Sequence, residues 1–384
     1  MIFGIDASGI TSGGGLTHLR GLIQGWERSR SPEDQVVVWV NTKIAKTLGS
    51  TAWLNVISVV EFDTGVTGRI IWQWKKSCRE YRAKGISVLI VLSGIYFGQF
   101  RPFIAVSQNL LPFEPLERAR YGLSWIRLRL HLIRYAQAHS FERASGIIFL
   151  TRYARDVVVR ELAELDRPSV VIPHGLSEEF KVPRIPSLPD VDGNEESFVI
   201  TYVSAIDEYK WQWNVVEAVC RIRDQGHKIK LVLIGPVYGQ SGKKLTNAMR
   251  RFDPAGKTVK YIGEIRHENL VAHYGETSAF VFASSCETFG LILLEAMGMG
   301  LPICCSNRSA MPEILGDAGA YFDPEDPGDI AACIERVMKD GNLRAMLGRR
   351  ASEMAATYLW EKCATATREF AFKAAGGSFG LCNK

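Results

Sequence analysis

Short apolar runs separated by helix-length stretches recur along this chain, stop, and then begin again. Val36 to Val40, Val56 to Val60, Val88 to Leu92, Phe103 to Val106 and Gly146 to Leu150 read as buried strands, after an opening strand-like run that contains Asp6. That rhythm predicts a parallel sheet with helices on both faces. After Val170-Val171-Ile172 it gives way to Pro173-His174-Gly175 and a polar segment holding Pro183, Pro186, Pro189 and Gly193, the best linker in the chain. It restarts with Val199 to Val203, Lys230 to Ile234, Val259 to Ile262, Ala279 to Ala283 and Pro302 to Cys305. The expected architecture is α/β: two doubly wound, Rossmann-like domains facing across a cleft. The boundaries are residues 1–175, a linker 176–197, a second domain 198–357 and a closing helical segment 358–384.

Composition narrows the function classes. With 384 residues the chain suits two ordinary domains, and 46 basic against 41 acidic residues leave a formal charge of +5. That excess is too mild to imply a nucleic-acid partner. The eight Cys residues show no metal-ribbon or redox spacing. Cys304-Cys305 read as small core residues of a buried strand, and such usage suits a reducing cytosol. The start MIFGIDASG lacks the basic opening and long apolar core of an export signal, and no stretch reaches the length of a bilayer span. The expected location is the cytoplasm.

The segment Ser284 to Ser306 carries the most chemistry. Glu287 precedes a Thr-Phe-Gly turn, and Glu295 follows eight positions later inside an apolar run from Leu291 to Met299. The run reads as a buried helix closed by Gly300 and Pro302. A lone Glu in so apolar a helix is costly unless something binds it. The N–H groups of Phe289, Gly290 and Leu291 are first-turn donors suited to an anion. Taken by spacing alone, Glu295 also reads as an ordinary partly exposed helix residue and Glu287 as a first-turn carboxylate favoured by the dipole.

The wider string Glu-Thr-Phe-Gly, Glu-Ala-Met, Gly-Leu-Pro resembles the donor-site motif of the family-four retaining glycosyltransferases (glycosyl transferases group 1), which have the GT-B fold. The resemblance implies a nucleoside-diphosphate sugar as co-substrate and no bound cofactor. It implies that Glu295 accepts hydrogen bonds from the donor ribose, that Glu287 contacts the sugar being moved, and that the closing helix crosses back to the first domain. The turn after the second domain's first strand, Tyr202 to Lys210, places Lys210 where the family has a diphosphate-binding Lys. Ala205 stands where the family usually has Arg. Asp207 and Glu208 read as solvated acids, His174 as a structural turn residue, and Glu313 as a helix-start cap.

In the first domain, Gly13-Gly14-Gly15 follow the opening strand and let backbone approach a ligand at a helix start. They match neither a dinucleotide fingerprint nor a P-loop. The resemblance sets this turn toward the donor diphosphate. The loop after the Phe103 strand offers Gln108 and Asn109 where relatives have His near the reacting sugar; amides orient hydroxyls but take no proton. Asn109 joins Glu287 and Lys210 as the expected catalytic set. Glu117 to Arg143 is helical in character and mixes apolar residues with six arginines, Arg118, Arg120, Arg127, Arg129, Arg134 and Arg143. It reads as a long domain helix with a basic outer face, or as a peripheral contact with the inner face of the plasma membrane.

The expected activity is transfer of a sugar, with retention, to a carbohydrate or lipid-linked acceptor in envelope polysaccharide or lipopolysaccharide synthesis. No metal is expected: the one Asp-x-Asp string, Asp190-Val191-Asp192, lies in the Pro-rich segment. The rival reading is a non-catalytic nucleotide-sugar-binding scaffold. A nicotinamide oxidoreductase lacks its fingerprint here, and a sugar phosphorylase its cofactor-lysine motif.

Overall fold

In a computed structural model that describes residues 1–163, 165–181 and 197–376, the chain forms two compact units. The Pro-rich run from Pro183 to Gly193, with Asp190 and Asp192, lies outside the described residues. The first unit takes Met1–Phe113, Leu123–Gly175 and the chain from Leu359; the second takes Glu114–Gly122 and Leu176–Tyr358.

The first unit holds a seven-stranded sheet of β1 (Ile2–Asp6), β2 (Gln35–Val40), β3 (Leu54–Ser58), β4 (Val88–Val91), β5 (Phe103–Ser107), β6 (Gly146–Phe149) and β7 (Ser169–Val171). Their order is β3-β2-β1-β4-β5-β6-β7, and every pairing is parallel. Strands β4, β5 and β6 are buried throughout, which is why they read as continuous apolar runs rather than alternating ones. The second unit holds β8 (Phe198–Val203), β9 (Ile229–Ile234), β10 (Val259–Tyr261), β11 (Ala279–Phe282), β12 (Ile303–Ser306) and β13 (Gly319–Phe322). They lie in the order β10-β9-β8-β11-β12-β13, again all parallel.

These orders locate the functional edges. In the second sheet the chain runs outward from β8 through β10, then returns to place β11 on the other side of β8. The turns leaving β8 and β11 are therefore neighbours at the point where strand order reverses, the position at which open α/β sheets bind ligands. The same reversal in the first sheet sets the turn after β1 beside those after β4 and β5. There a Cβ on Gly9 would stand 2.3 Å from Ser93 Cβ, so the closest backbone approach falls on Gly9.

Three expectations change. The stretch Glu117 to Arg143 is not one helix: it divides into Pro115–Ala119 and Trp125–Arg143, with Gly122 between them at φ +55°. The short piece packs with the second unit. Glu313 sits in the first turn of Met311–Leu315 but not at its cap, a position held by Ala310 with no side-chain bond. Asp207 and Glu208 are not solvated acids, as their bonds below show. Cys304 and Cys305 are buried on β12, and all seven described cysteines are free thiols.

Candidate functional site

The turn leaving β8 is held on all sides. Asp207 caps the 3-10 turn Glu208–Lys210 by accepting the Glu208 N–H at 2.7 Å. It also accepts the Tyr121 hydroxyl at 2.8 Å, and burial pushes its carboxyl pKa up. Glu208 is buried against Ser241 Oγ (3.1 Å) and the Lys244 ammonium. Trp211 follows in the left-handed region at φ 54°, ψ 28° and opens the helix Gln212–Asp224. The Tyr202 hydroxyl donates to the Lys210 carbonyl at 2.7 Å, which anchors the lysine's main chain.

Lys210 is 6% exposed. Its Nζ lies 4.7 Å from the Tyr209 ring centre and 5.4 Å from that of Phe282, and it is paired with the Glu287 carboxylate. Aromatic faces favour a cation there, and burial strengthens its charge interactions. The turn leaving β11 supplies the counter-charge. Ser285 N–H donates to Tyr209 O at 2.8 Å, tying the two turns together. The Glu287 N–H donates to Ser309 Oγ at 2.9 Å, and the Ser309 hydroxyl returns to Glu287 O at 3.0 Å. Ser309 reaches this position at φ 58°.

Gly290, at φ 88° and ψ 62°, is the cap of the helix Leu291–Gly298. Only a residue without a Cβ enters that conformation freely. The helix start puts Gly290 and Leu291 at its positive end. The Phe289 side chain is core, edge-on to Tyr358 at 5.7 Å, so this residue has only its backbone to offer a ligand. Glu295 is 3% exposed. Its Oε1 lies 2.7 Å from His267 Nε2, while Oε2 is buried with no hydrogen-bond partner among the described residues. Burial raises the Glu295 pKa and His267 opposes the rise. Lys210 and Glu287 are thus brought together directly, whereas Glu295 pairs with a residue the sequence analysis did not select.

The short segment Glu114–Gly122 was also missed. Glu117 accepts the Ser285 hydroxyl at 2.8 Å, and Arg120 joins Glu117 to Glu325 while its guanidinium lies 4.5 Å from the Trp211 ring centre. With Tyr121 on Asp207, this strap braces both turns. The only available signal was Gly122 inside a helical pattern.

The remaining expected residues fall in the first unit. Gly13, at φ +62°, opens the helix Gly13–Ser29, with Gly14 and Gly15 in its first turn. A Cβ on Gly15 would stand 3.5 Å from Gln108 Oε1, so the glycine turn and the loop after β5 adjoin. Asn109 is exposed there. Gln108 Nε2 lies 2.6 Å from Nδ1 of buried His18, whose pKa burial lowers to about 4. At neutral pH that ring is therefore uncharged and can accept the amide proton. His174, read as a structural turn residue, is buried, 4.4 Å from His18 and 5.5 Å from Trp360 between ring centres.

Two all-parallel Rossmann-like units, with a cation and carboxylates at the strand-order reversal of the second, define a protein of the GT-B class. Sucrose-phosphate synthase from Thermosynechococcus elongatus shares the fold, with a TM-score of 0.78 at 17% identity over 98% of this chain and 100% of that one. HepE of Anabaena, solved in complex with UDP and glucose, matches with a TM-score of 0.71 at 16% identity, covering 96% of this chain and 99% of that one. Residues 188–354 match the family glycosyl transferases group 1. The O-antigen chain mannosyltransferase B of Escherichia coli is 38% identical over 109 residues, 28% of this chain and 29% of that protein. The D-inositol 3-phosphate glycosyltransferase of Corynebacterium jeikeium is 26% identical over 174 residues, 44% of this chain and 42% of that protein. The chain thus matches less than half the length of these curated relatives.

Proposed function

We propose that the protein is a retaining, metal-independent glycosyltransferase that moves a sugar from a nucleoside-diphosphate donor to a carbohydrate or lipid-linked acceptor, in envelope polysaccharide synthesis. The observation that carries this reading is the buried Lys210–Glu287 pair, braced at the strand-order reversal and followed by Glu295 on the next helix. Lys210 and the N–H groups of Phe289, Gly290 and Leu291 receive the diphosphate and stabilise the charge that develops as it leaves. Glu287 accepts hydroxyls of the transferred sugar and Glu295 those of the ribose. On the first unit, the helix start at Gly13, Gly14 and Gly15 is suited to an anion, and Asn109, beside the His18-oriented Gln108, to a hydroxyl. The acceptor oxygen attacks on the face from which the phosphate departs, and a phosphate oxygen takes the acceptor proton.

A screen of glucosyl and mannosyl donors on UDP, GDP and ADP, reading nucleotide release with and without a chelator, tests this. Donor-dependent release unchanged by chelation is expected. Saturable binding without release would favour the non-catalytic scaffold, a reading that Ala205 at the usual Arg position supports. Folded protein that binds no donor would exclude both.

The helix Trp125–Arg143 leaves Trp125, Leu128, Leu132 and Tyr135 exposed, each more than half except Leu128 at 50%, alongside arginines. No described helix is long and apolar enough to cross a membrane. A peripheral contact with anionic lipid fits this face. Co-sedimentation with phosphatidylglycerol vesicles is expected for the wild type and should weaken for Trp125→Ala/Leu128→Ala. Equal sedimentation of the two would remove the membrane contact from this reading.

A further inference from the structure

Glu295 poses a physical problem that the proposed chemistry does not answer. To accept ribose hydroxyls its carboxylate must be ionised, yet it sits in the apolar helix Leu291–Gly298 at 3% exposure. Burial of an unassisted carboxylate favours its neutral form. The groups around it give little help. Tyr274, fully buried on a neighbouring helix, has its own ionisation suppressed by burial first and by Glu295 second. Glu179, on the 3-10 turn Glu178–Phe180, adds like charge and disfavours the ionised form. Arg266 and Glu268, which flank His267, pair with each other at 3.6 Å and are well exposed. The one favourable polar contact is His267 Nε2 to Oε1 at 2.7 Å.

His267 is built to hold that contact and remain in touch with solvent. It lies on the 3-10 turn His267–Asn269, and Phe180 meets its ring edge-on at 5.2 Å. Its side chain is 39% exposed, against 4% for Glu295. A carboxylate has about four acceptor positions, and one hydrogen bond from an imidazole N–H occupies one of them. The second oxygen, without a partner among the described residues, is an unmet acceptor, which is costly in the free protein and relieved by a donor hydroxyl.

We propose that His267 is a positioning residue for the nucleoside of the donor: it holds Glu295 ionised and in one orientation, so that the carboxylate accepts ribose hydroxyls. This rests on the reading of Glu295 as the ribose acceptor, and the experiment separates the two. UDP, GDP and ADP are titrated calorimetrically into wild-type protein, and the nucleotide that binds is carried into His267→Ala, His267→Gln and Glu295→Gln, from pH 5.5 to 8.5. Loss of a hydrogen bond to a charged group predicts about tenfold weaker binding for His267→Ala at pH 7. The 2′-deoxy and 3′-deoxy nucleotides should lose less of their affinity in that variant than the parent nucleotide does.

The pH dependence has a fixed sign. Glu295 binds ribose when ionised, so affinity falls as pH drops through its pKa; removing the His267 hydrogen bond moves that pKa further up. The acid-side fall should therefore begin at higher pH in His267→Ala than in wild type. Protonation of the nucleotide phosphate is common to both proteins and cancels in the comparison. His267→Gln, which keeps an N–H donor, should recover most of the affinity at pH 8. A folding defect alone would lower affinity equally at all pH and for the parent and both deoxy nucleotides, and that result would overturn the proposal. So would tighter binding by His267→Ala, which would make His267 a competitor of the ribose. Wild-type affinity in Glu295→Gln would instead refute the ribose assignment, as would failure of all three nucleotides to bind wild type.

Discussion

Replacing Lys210 with Ala is expected to reduce transfer about 10²–10³-fold in kcat, the effect of deleting one preorganised donor to a developing oxyanion. The magnitude follows from the lysine's setting. Its ammonium is buried between two aromatic faces, and it is the cation that the turn after β8 supplies where Ala205 leaves the usual Arg position without charge. A lysine on a flexible exposed stem would lose far less. The same change leaves Glu287 without its counter-charge, so circular dichroism and a thermal melt must accompany the kinetics. Lys210→Arg should restore part of the rate, because it keeps the charge but crowds the space between Tyr209 and Phe282. Unaltered kcat in the folded Lys210→Ala protein would remove the lysine from the proposed mechanism.

Trp360→Ala should have the largest effect on stability, about 3–5 kcal/mol, as for other buried Trp deletions. This is a large share of the 5–15 kcal/mol, roughly, that holds a typical domain folded. Trp360 opens the helix Trp360–Ala374 and is 4% exposed. Its ring lies over Gly21, where a Cβ would stand 2.1 Å from it, and 5.9 Å from the His18 ring centre. Its carbonyl oxygen lies 2.2 Å from a Cβ placed on Gly25, so the two helix backbones approach where glycine alone fits. Urea unfolding should show the transition of the first unit moving to lower denaturant while that of the second stays in place. A common, unshifted midpoint would show that this helix contributes little to the first unit.

The repeated apolar runs make most of the two sheets legible in the sequence, because strands buried on both faces cannot hide their composition. Strand β13, Gly-Ala-Tyr-Phe, escaped because four residues containing Gly and Ala give no sustained pattern. The helix Leu291–Gly298 was readable, since an apolar run closed by Gly and Pro has one ordinary solution. Lys210, Glu287 and Glu295 were readable as a set only through their resemblance to a motif; their spacing alone allowed ordinary helix residues. The pairing of Lys210 with Glu287 was not readable, for the two are 77 positions apart and meet only because β8 and β11 are sheet neighbours.

What the sequence by itself determined is local: which segments must be buried, where glycine permits a sharp start, and which side chains carry charge in an apolar setting. Asp207 and Glu208 looked solvated because they stand next to Lys210, and such clusters of charge are usually surface. Their partners, Tyr121, Ser241 and Lys244, come from other parts of the chain and reverse that reading. Nothing in its sequence neighbourhood marks His267; only the fold sets it against Glu295. The strap Glu114–Gly122 continued a helical pattern, and only its packing with the second unit showed that Gly122 ends it. Tertiary structure decided these cases because the energy of a charged group depends on which distant partner replaces its water, and sequence spacing does not encode that partner.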